Sequence, residues 1–190
     1  MLFRSNDRFQ PRPAELPAAL AAAPRWVGRQ LLPLRGIGYG IESNPLMVAR
    51  AYAALATGQL PTLGLRRGEG RLAWPLGIDD ADLAVVREGL RECVASGTAA
   101  DLVQLQSFSV HGKTGTAEVG SHDDNNAWFA GYLPGTSAQG VQLCFCAVVY
   151  AVPDQTHGAD AGGLLVAEVL EAMAADAQLH ARYLGAGAGR

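Results

Sequence analysis

Leu105-Gln-Ser-Phe-Ser-Val-His-Gly-Lys-Thr-Gly-Thr-Ala117 is followed by Ala127-Trp-Phe-Ala-Gly-Tyr-Leu133 and then by Val141-Gln-Leu-Cys-Phe-Cys-Ala-Val-Val-Tyr-Ala-Val152. Each segment carries β-branched and aromatic residues and is bounded by turn formers, which is the pattern of strands. The links are Glu118-Val-Gly-Ser-His-Asp-Asp-Asn-Asn126 and a turn at Pro134-Gly135. Links this short join antiparallel neighbours, because a parallel crossover needs a dozen residues or more. The three segments therefore read as an antiparallel meander. Period-two alternation puts Cys144 and Cys146 on one face of the last strand, as buried thiols. Trp128, Phe129 and Tyr132 read as strand core, and Asp123 and Asp124 as a solvated loop tip rather than a metal or acid/base pair.

Helices flank the meander on both sides in sequence. Asn44-Pro45 is a cap followed by a good first helical residue, and Leu46–Ala56 continues as a helix with Leu46, Ala49, Ala53 and Ala56 on one face, stopped by Gly58. Residues 61–78 read as a Gly/Pro-punctuated loop with room for a short strand. Asp79 or Asp80 caps a second helix from Ala81 to about Ala95, with Leu83, Val86 and Leu90 inward and Cys93 buried; Ser96-Gly97 ends it. A last helix spans about Asp160 to His180, its apolar side made of Leu164, Leu165, Ala167, Val169, Leu170 and Met173. The expected fold class is α+β, an antiparallel sheet with packed helices.

Residues 1–35 hold five prolines, at 11, 13, 17, 24 and 33, which break any long helix. They read as an irregular segment that leans on another surface, or as a cut edge. The expected division is 1–35 irregular, 36–184 the folded part and 185–190 a frayed tail.

The chain has 190 residues, enough for about one domain. With 49% hydrophobic and 17% charged residues it belongs among globular chains. Its net charge of −3 argues against a phosphate-tracking nucleic-acid binder, which needs a basic face. Three cysteines and four histidines stand at no usual zinc spacing, so neither a metal nor a cofactor is expected. No apolar run reaches the roughly 20 residues of a membrane span. Met1-Leu-Phe-Arg-Ser-Asn-Asp-Arg8 carries charge where an export signal would be apolar, so no signal or anchor is expected in these residues.

The basic residues are lopsided: Lys113 is the sole lysine among 15 basic residues. It opens Lys113-Thr-Gly-Thr116. On a strand, Thr114 and Thr116 share one face and Lys113 takes the other. Paired hydroxyls can hydrogen-bond a carboxylate. Gly115 leaves the backbone open to an extended peptide pairing as an added strand. The Thr116 amide can face a developing oxyanion. His111 shares the parity of Lys113, and an ordinary polar strand residue is the favoured reading over one that tunes the lysine.

Lys113-Thr114-Gly115 resembles the third motif of penicillin-binding proteins and serine β-lactamases, the companion of S-x-x-K and S-x-N. Its context resembles the same group. Gly36-Ile-Gly-Tyr-Gly-Ile-Glu-Ser-Asn-Pro-Leu-Met-Val-Ala-Arg-Ala-Tyr-Ala-Ala-Leu-Ala-Thr-Gly58 is similar to the helix preceding the active-site strand. Val86-Arg-Glu-Gly-Leu-Arg91 with Gly97-Thr98 is similar to the next helix and its exit. Gly112-Lys-Thr-Gly-Thr-Ala-Glu118 and Ala127-Trp-Phe-Ala-Gly-Tyr-Leu-Pro134 resemble the K-T-G-T-A and A-W-F-x-G-Y-x-P strands of the monofunctional, class B type. The four blocks keep family order and cover about residues 36–152.

The nucleophile motif is missing. None of the seven serines has lysine three residues on, and with one lysine in the chain none could. S-x-N is missing too; Ser5-Asn6-Asp7 has the letters in the wrong order. The resemblance is therefore to the C-terminal half of a transpeptidase domain. It implies Lys113 as catalytic electrostatic support, with Thr114, Gly115 and Thr116 as substrate-binding residues. It also implies peptidoglycan stem peptides and β-lactams as ligands, cell-division or elongation proteins as partners, and the extracytoplasmic face of the bacterial membrane as location. The expected function is the C-terminal part of a D,D-transpeptidase of the acyl-serine type, inactive as the isolated chain. The alternative is a non-catalytic module of the same scaffold that binds cell-wall peptide or a partner protein. A β-lactamase fragment is disfavoured by the A-W-F-x-G-Y block.

Overall fold

The computed structural model describes residues 43–64, 72–118, 124–135, 142–153 and 155–184. Helix α1 covers Pro45–Thr57. Strands β1, Gln59–Pro61, and β2, Ala73–Pro75, form a small antiparallel pair. Helix α2 covers Asp80–Ala95 and helix α3 Val103–Ser107. The main sheet is β3, His111–Glu118; β4, Asp124–Tyr132; and β5, Cys144–Pro153, antiparallel in the order β3-β4-β5. A π-helical segment, Ala159–Gly163, leads into α4, Leu164–Ala175. Helix α5, Ala177–Leu179, and a second π-helical segment, His180–Leu184, follow. The α+β meander expected from sequence is the fold. Residues 1–42, which include the expected boundary at residue 35, and the tail 185–190 lie outside the described residues.

Helix α1 begins where its cap dictates: the Asn44 carboxamide accepts from the Met47 amide at 3.0 Å. It ends at Gly58, whose φ of 76° closes the helix in the left-handed region. The inward face is rotated from the one expected. Leu46 is 51% exposed, and Arg50 and Ala54 are buried instead. Arg50 is accommodated because its Nε donates to the Pro61 carbonyl at 2.5 Å, tying α1 to the β1–β2 hairpin. In α2, Leu83, Leu90, Cys93 and Val94 are buried, whereas Val86 lies on the flank of that stripe and is exposed.

The first strand starts at His111, six residues later than the alternation implied. Leu105 and Phe108 are spaced for a helical turn, and both are buried. Ser109, at φ 53°, turns the chain out of α3, and the Val110 amide bonds back to Leu105 O at 3.0 Å. Three expected apolar positions of the last helix, Leu164, Leu165 and Val169, are exposed; Ala167 and Leu170 are buried as expected, and Val166 joins them. That helix is also not continuous to His180. Asp176 adopts an extended conformation and its carboxylate caps the next turn, accepting from Gln178 and Leu179.

The core packs Phe129, fully buried, with Val94, Leu105, Phe108, Val110, Val166 and Leu170. Phe145 stacks on Phe129 at 6.0 Å between ring centroids. The Ala159–Gly163 segment approaches the sheet backbone to a distance that excludes side chains. A Cβ at Gly158 would lie 2.5 Å from Trp128 O and 2.6 Å from Gly115 O. This contact presses the start of the C-terminal helix onto β3 and β4, and so fixes one wall of the site described next.

Candidate functional site

Lys113, Thr114, Gly115 and Thr116 lie in succession on β3, an edge of the sheet among the described residues. All four line one cleft of about 430 Å³. Thr98, from the exit of α2, lines the same cleft, as do His157, Gly158 and Ala159 from the connection between β5 and α4. That connection is tied down by its own turn: Asp160 Oδ2 accepts from the His157 amide at 2.9 Å.

Register settles which side chains share a face. Thr114 pairs with Phe129 and Thr116 with Ala127, while Lys113 pairs with Ala130 and Gly115 with Trp128. Thr114 and Thr116 thus occupy one face and Lys113 the other, as alternation requires. The lysine does not stay on its own side. Its four methylenes let the ammonium curl round the free edge of β3, where Nζ donates to Thr114 O at 2.9 Å and to Thr114 Oγ1 at 3.2 Å. Thr114 O therefore points away from β4. Alternate residues of a strand direct their amides to the same side, so the Thr116 N–H also faces the open edge. Among the described residues no carboxylate pairs with Lys113.

Thr114 and Thr116 differ in their surroundings. Thr114 Oγ1 lies 2.8 Å from Thr98 Oγ1, which lies 3.3 Å from the buried Cys93 Sγ. Thr116 is exposed at the cleft. The four β3 residues named from the sequence line this cleft together, and Thr98 and His157, which the sequence does not single out, line it as well. In the sequence Gly97-Thr98 reads as a helix exit, and nothing in Thr156-His157-Gly158 marks its spatial partner.

His111 belongs elsewhere. Its Nδ1 is 3.2 Å from the Tyr132 hydroxyl, and it lines a second cleft of about 220 Å³ with Arg91 and Gln106. Burial lowers the His111 pKa below its ordinary value, and the nearby Arg91 lowers it further, so the ring is neutral at neutral pH. Trp128 is half-buried, and Phe129 and Tyr132 are buried, as strand core should be. Cys93 is buried. Cys144 and Cys146 are half-buried rather than buried, and desolvation pushes both thiols up to about 11, which keeps them protonated. Burial likewise raises the Tyr52 hydroxyl to about 12. Asp123 lies outside the described residues; Asp124 stands at the start of β4. Among the described residues no three His, Cys, Asp or Glu side chains gather to hold a metal, and no helix is long and apolar enough to cross a membrane.

A three-stranded antiparallel sheet with a glycine-tight C-terminal helix and a Lys-Thr-Gly-Thr edge strand has a counterpart among known families. The family described as the penicillin binding protein transpeptidase domain matches residues 14–173. The chain belongs to that family. Among solved structures it is similar in fold to Pseudomonas aeruginosa PBP2, crystallised in complex with WCK 5153. The TM-score is 0.59 at 21% sequence identity, over 83% of this chain and 37% of that one. The chain thus spans little more than a third of the length of that relative. Comparison with curated proteins gave no match.

Proposed function

We propose that this chain carries the substrate strand of a class B type D,D-transpeptidase. In this reading the ligand is a peptidoglycan stem peptide ending in D-Ala-D-Ala, laid along the open edge of β3. Lys113 provides the positive potential for the terminal carboxylate, and the Thr116 hydroxyl donates to it. The Thr116 N–H faces the scissile carbonyl as one oxyanion donor. A serine attacks that carbonyl, terminal D-Ala leaves, and the amine of a second stem peptide takes the acyl group from the serine oxygen. β-Lactams enter as mimics of the first substrate. Division or elongation proteins are the expected partners, at the extracytoplasmic face of the membrane.

The observation that carries this reading is the Lys113 ammonium, paired with no carboxylate among the described residues, beside the outward Thr116 amide on one strand edge. The serine–lysine pair is not encoded in the 190 residues, whose single lysine is Lys113 itself. The acyl-serine step therefore draws its nucleophile from outside them. The absence of S-x-x-K also supports a second reading, in which the same cleft binds cell-wall peptide without chemistry. Intact-mass spectrometry after incubation with a fluorescent penicillin tests the assignment of the nucleophile. The expected result is no adduct. A stoichiometric acyl adduct would show that a residue of this chain does the chemistry and would overturn the assignment.

A further inference from the structure

A line of hydrogen bonds leaves the cleft and runs into the protein. Lys113 Nζ lies 3.2 Å from Thr114 Oγ1, Thr114 Oγ1 lies 2.8 Å from Thr98 Oγ1, and Thr98 Oγ1 lies 3.3 Å from Cys93 Sγ. An ammonium has donors only, so Thr114 Oγ1 accepts at the first step. Each hydroxyl owns one proton. With Thr114 donating to Thr98 and Thr98 donating to the Cys93 sulfur, both hydroxyl protons point inward and the Cys93 S–H is left as the donor at the inner end. Cys93 is buried beside Val94 in the core, which anchors the inner end.

We propose that Thr98 is a positioning residue for Lys113. It holds the Thr114 hydroxyl turned away from the cleft, so that Thr114 offers the lysine a lone pair rather than competing with it for the ligand. The ammonium is thereby kept at the strand edge instead of sampling solvent. This inference rests on the reading of Lys113 as the carboxylate contact only where ligand binding is concerned. The line of hydrogen bonds stands without it.

Lys113 is the single lysine, so lysine labelled with 13C and 15N gives one side-chain signal set to follow. Thr98→Val keeps the shape and removes the hydroxyl; Thr98→Ser keeps the hydroxyl. In Thr98→Val the Lys113 Nζ protons should exchange with water faster and the Cε signal should sharpen towards that of a free lysine. Thr98→Ser should stay with the wild type. Thr114→Val removes the acceptor itself and should reproduce the Thr98→Val signal, which keeps the test decisive should Thr98→Val fold poorly. A Lys113 signal unchanged in both valine variants, or moved equally by valine and serine at Thr98, overturns the proposal. Binding of N-acetyl-D-Ala-D-Ala should weaken about two- to tenfold in Thr98→Val and recover in Thr98→Ser. If the dipeptide fails to bind the wild type, the carboxylate reading of the cleft falls, while the lysine signal still decides the role of Thr98.

Discussion

Two clefts open along β3, and their defining residues, His111 and Lys113, are only two positions apart. Around His111 every charge has been answered within the protein. Arg91 is bound by both Glu88 and Glu92, with Nε to Glu88 Oε2 at 3.0 Å. The Arg91 guanidinium holds the Glu88 carboxyl below its usual range. The His111 ring is neutral and hydrogen-bonded to Tyr132. Lys113 donates to a carbonyl and a hydroxyl, and among the described residues no carboxylate pairs with it. A cation that its own fold does not neutralise is placed to meet an anion from outside. The contrast supports the proposal that the Lys113 cleft, rather than the His111 cleft, is the anion site.

Several substitutions would break or sharpen this contrast. The largest effect should come from Phe129→Ala. Its ring is fully buried in the core behind both clefts, and truncation of such a side chain costs about 3–5 kcal/mol. Denaturant unfolding should show the midpoint falling sharply or the transition disappearing. Gly158→Val should come next. Overpacking costs about 1–3 kcal/mol, and the new side chain would meet the backbone of Trp128 and Gly115. It should lower stability and perturb the Lys113 cleft while leaving the His111–Tyr132 contact intact.

Thr116→Val should cost a hydrogen bond to a charged group, about 1.5–3 kcal/mol. That is about a tenfold to hundredfold weaker affinity for a D-Ala-D-Ala peptide, read by calorimetry. Arg91→Ala should leave that affinity unchanged. Its ion pairs are exposed, and such pairs contribute about 0–1 kcal/mol, so the unfolding midpoint should barely move. The smallest effect is a pH dependence. His111 has its pKa lowered in the folded state, so the unfolded chain binds a proton first as pH falls. Stability should therefore decline from about pH 6.5 downward to the lower folded value, and be flat above. His111→Gln should remove that slope in thermal melts between pH 5 and 8. An unchanged slope would show that the ring is not held neutral by burial.

Much of this was legible in the residues. Asn44-Pro45 and Gly58 mark their helix because capping is local chemistry. Lys113-Thr-Gly-Thr116 marks its strand because alternation and an interior glycine are local too. The inward face of α1 was not legible, since burying Arg50 depends on the Pro61 carbonyl from a hairpin that follows the helix. The α3 turn is masked in the sequence because Phe108 and Val110 keep strand alternation while Leu105 and Phe108 keep helical spacing. Half of the cleft was also hidden. Thr98 and His157 reach the cleft through the packing of α2 and of Gly158 on the sheet, and sequence patterns carry no record of such long-range approaches.

The central claim is that the uncompensated Lys113 edge, and not the self-neutralised His111 cleft, receives the carboxylate of a D-Ala-D-Ala peptide. The most direct test is a titration of the full chain with N-acetyl-D-Ala-D-Ala, followed through the side-chain signal of its one lysine and the amide of Thr116. Both should shift together and saturate, with His111 unmoved and the effect abolished in Lys113→Ala. Saturable shifts at His111 with Lys113 and Thr116 silent, or no shift at either cleft, would contradict it.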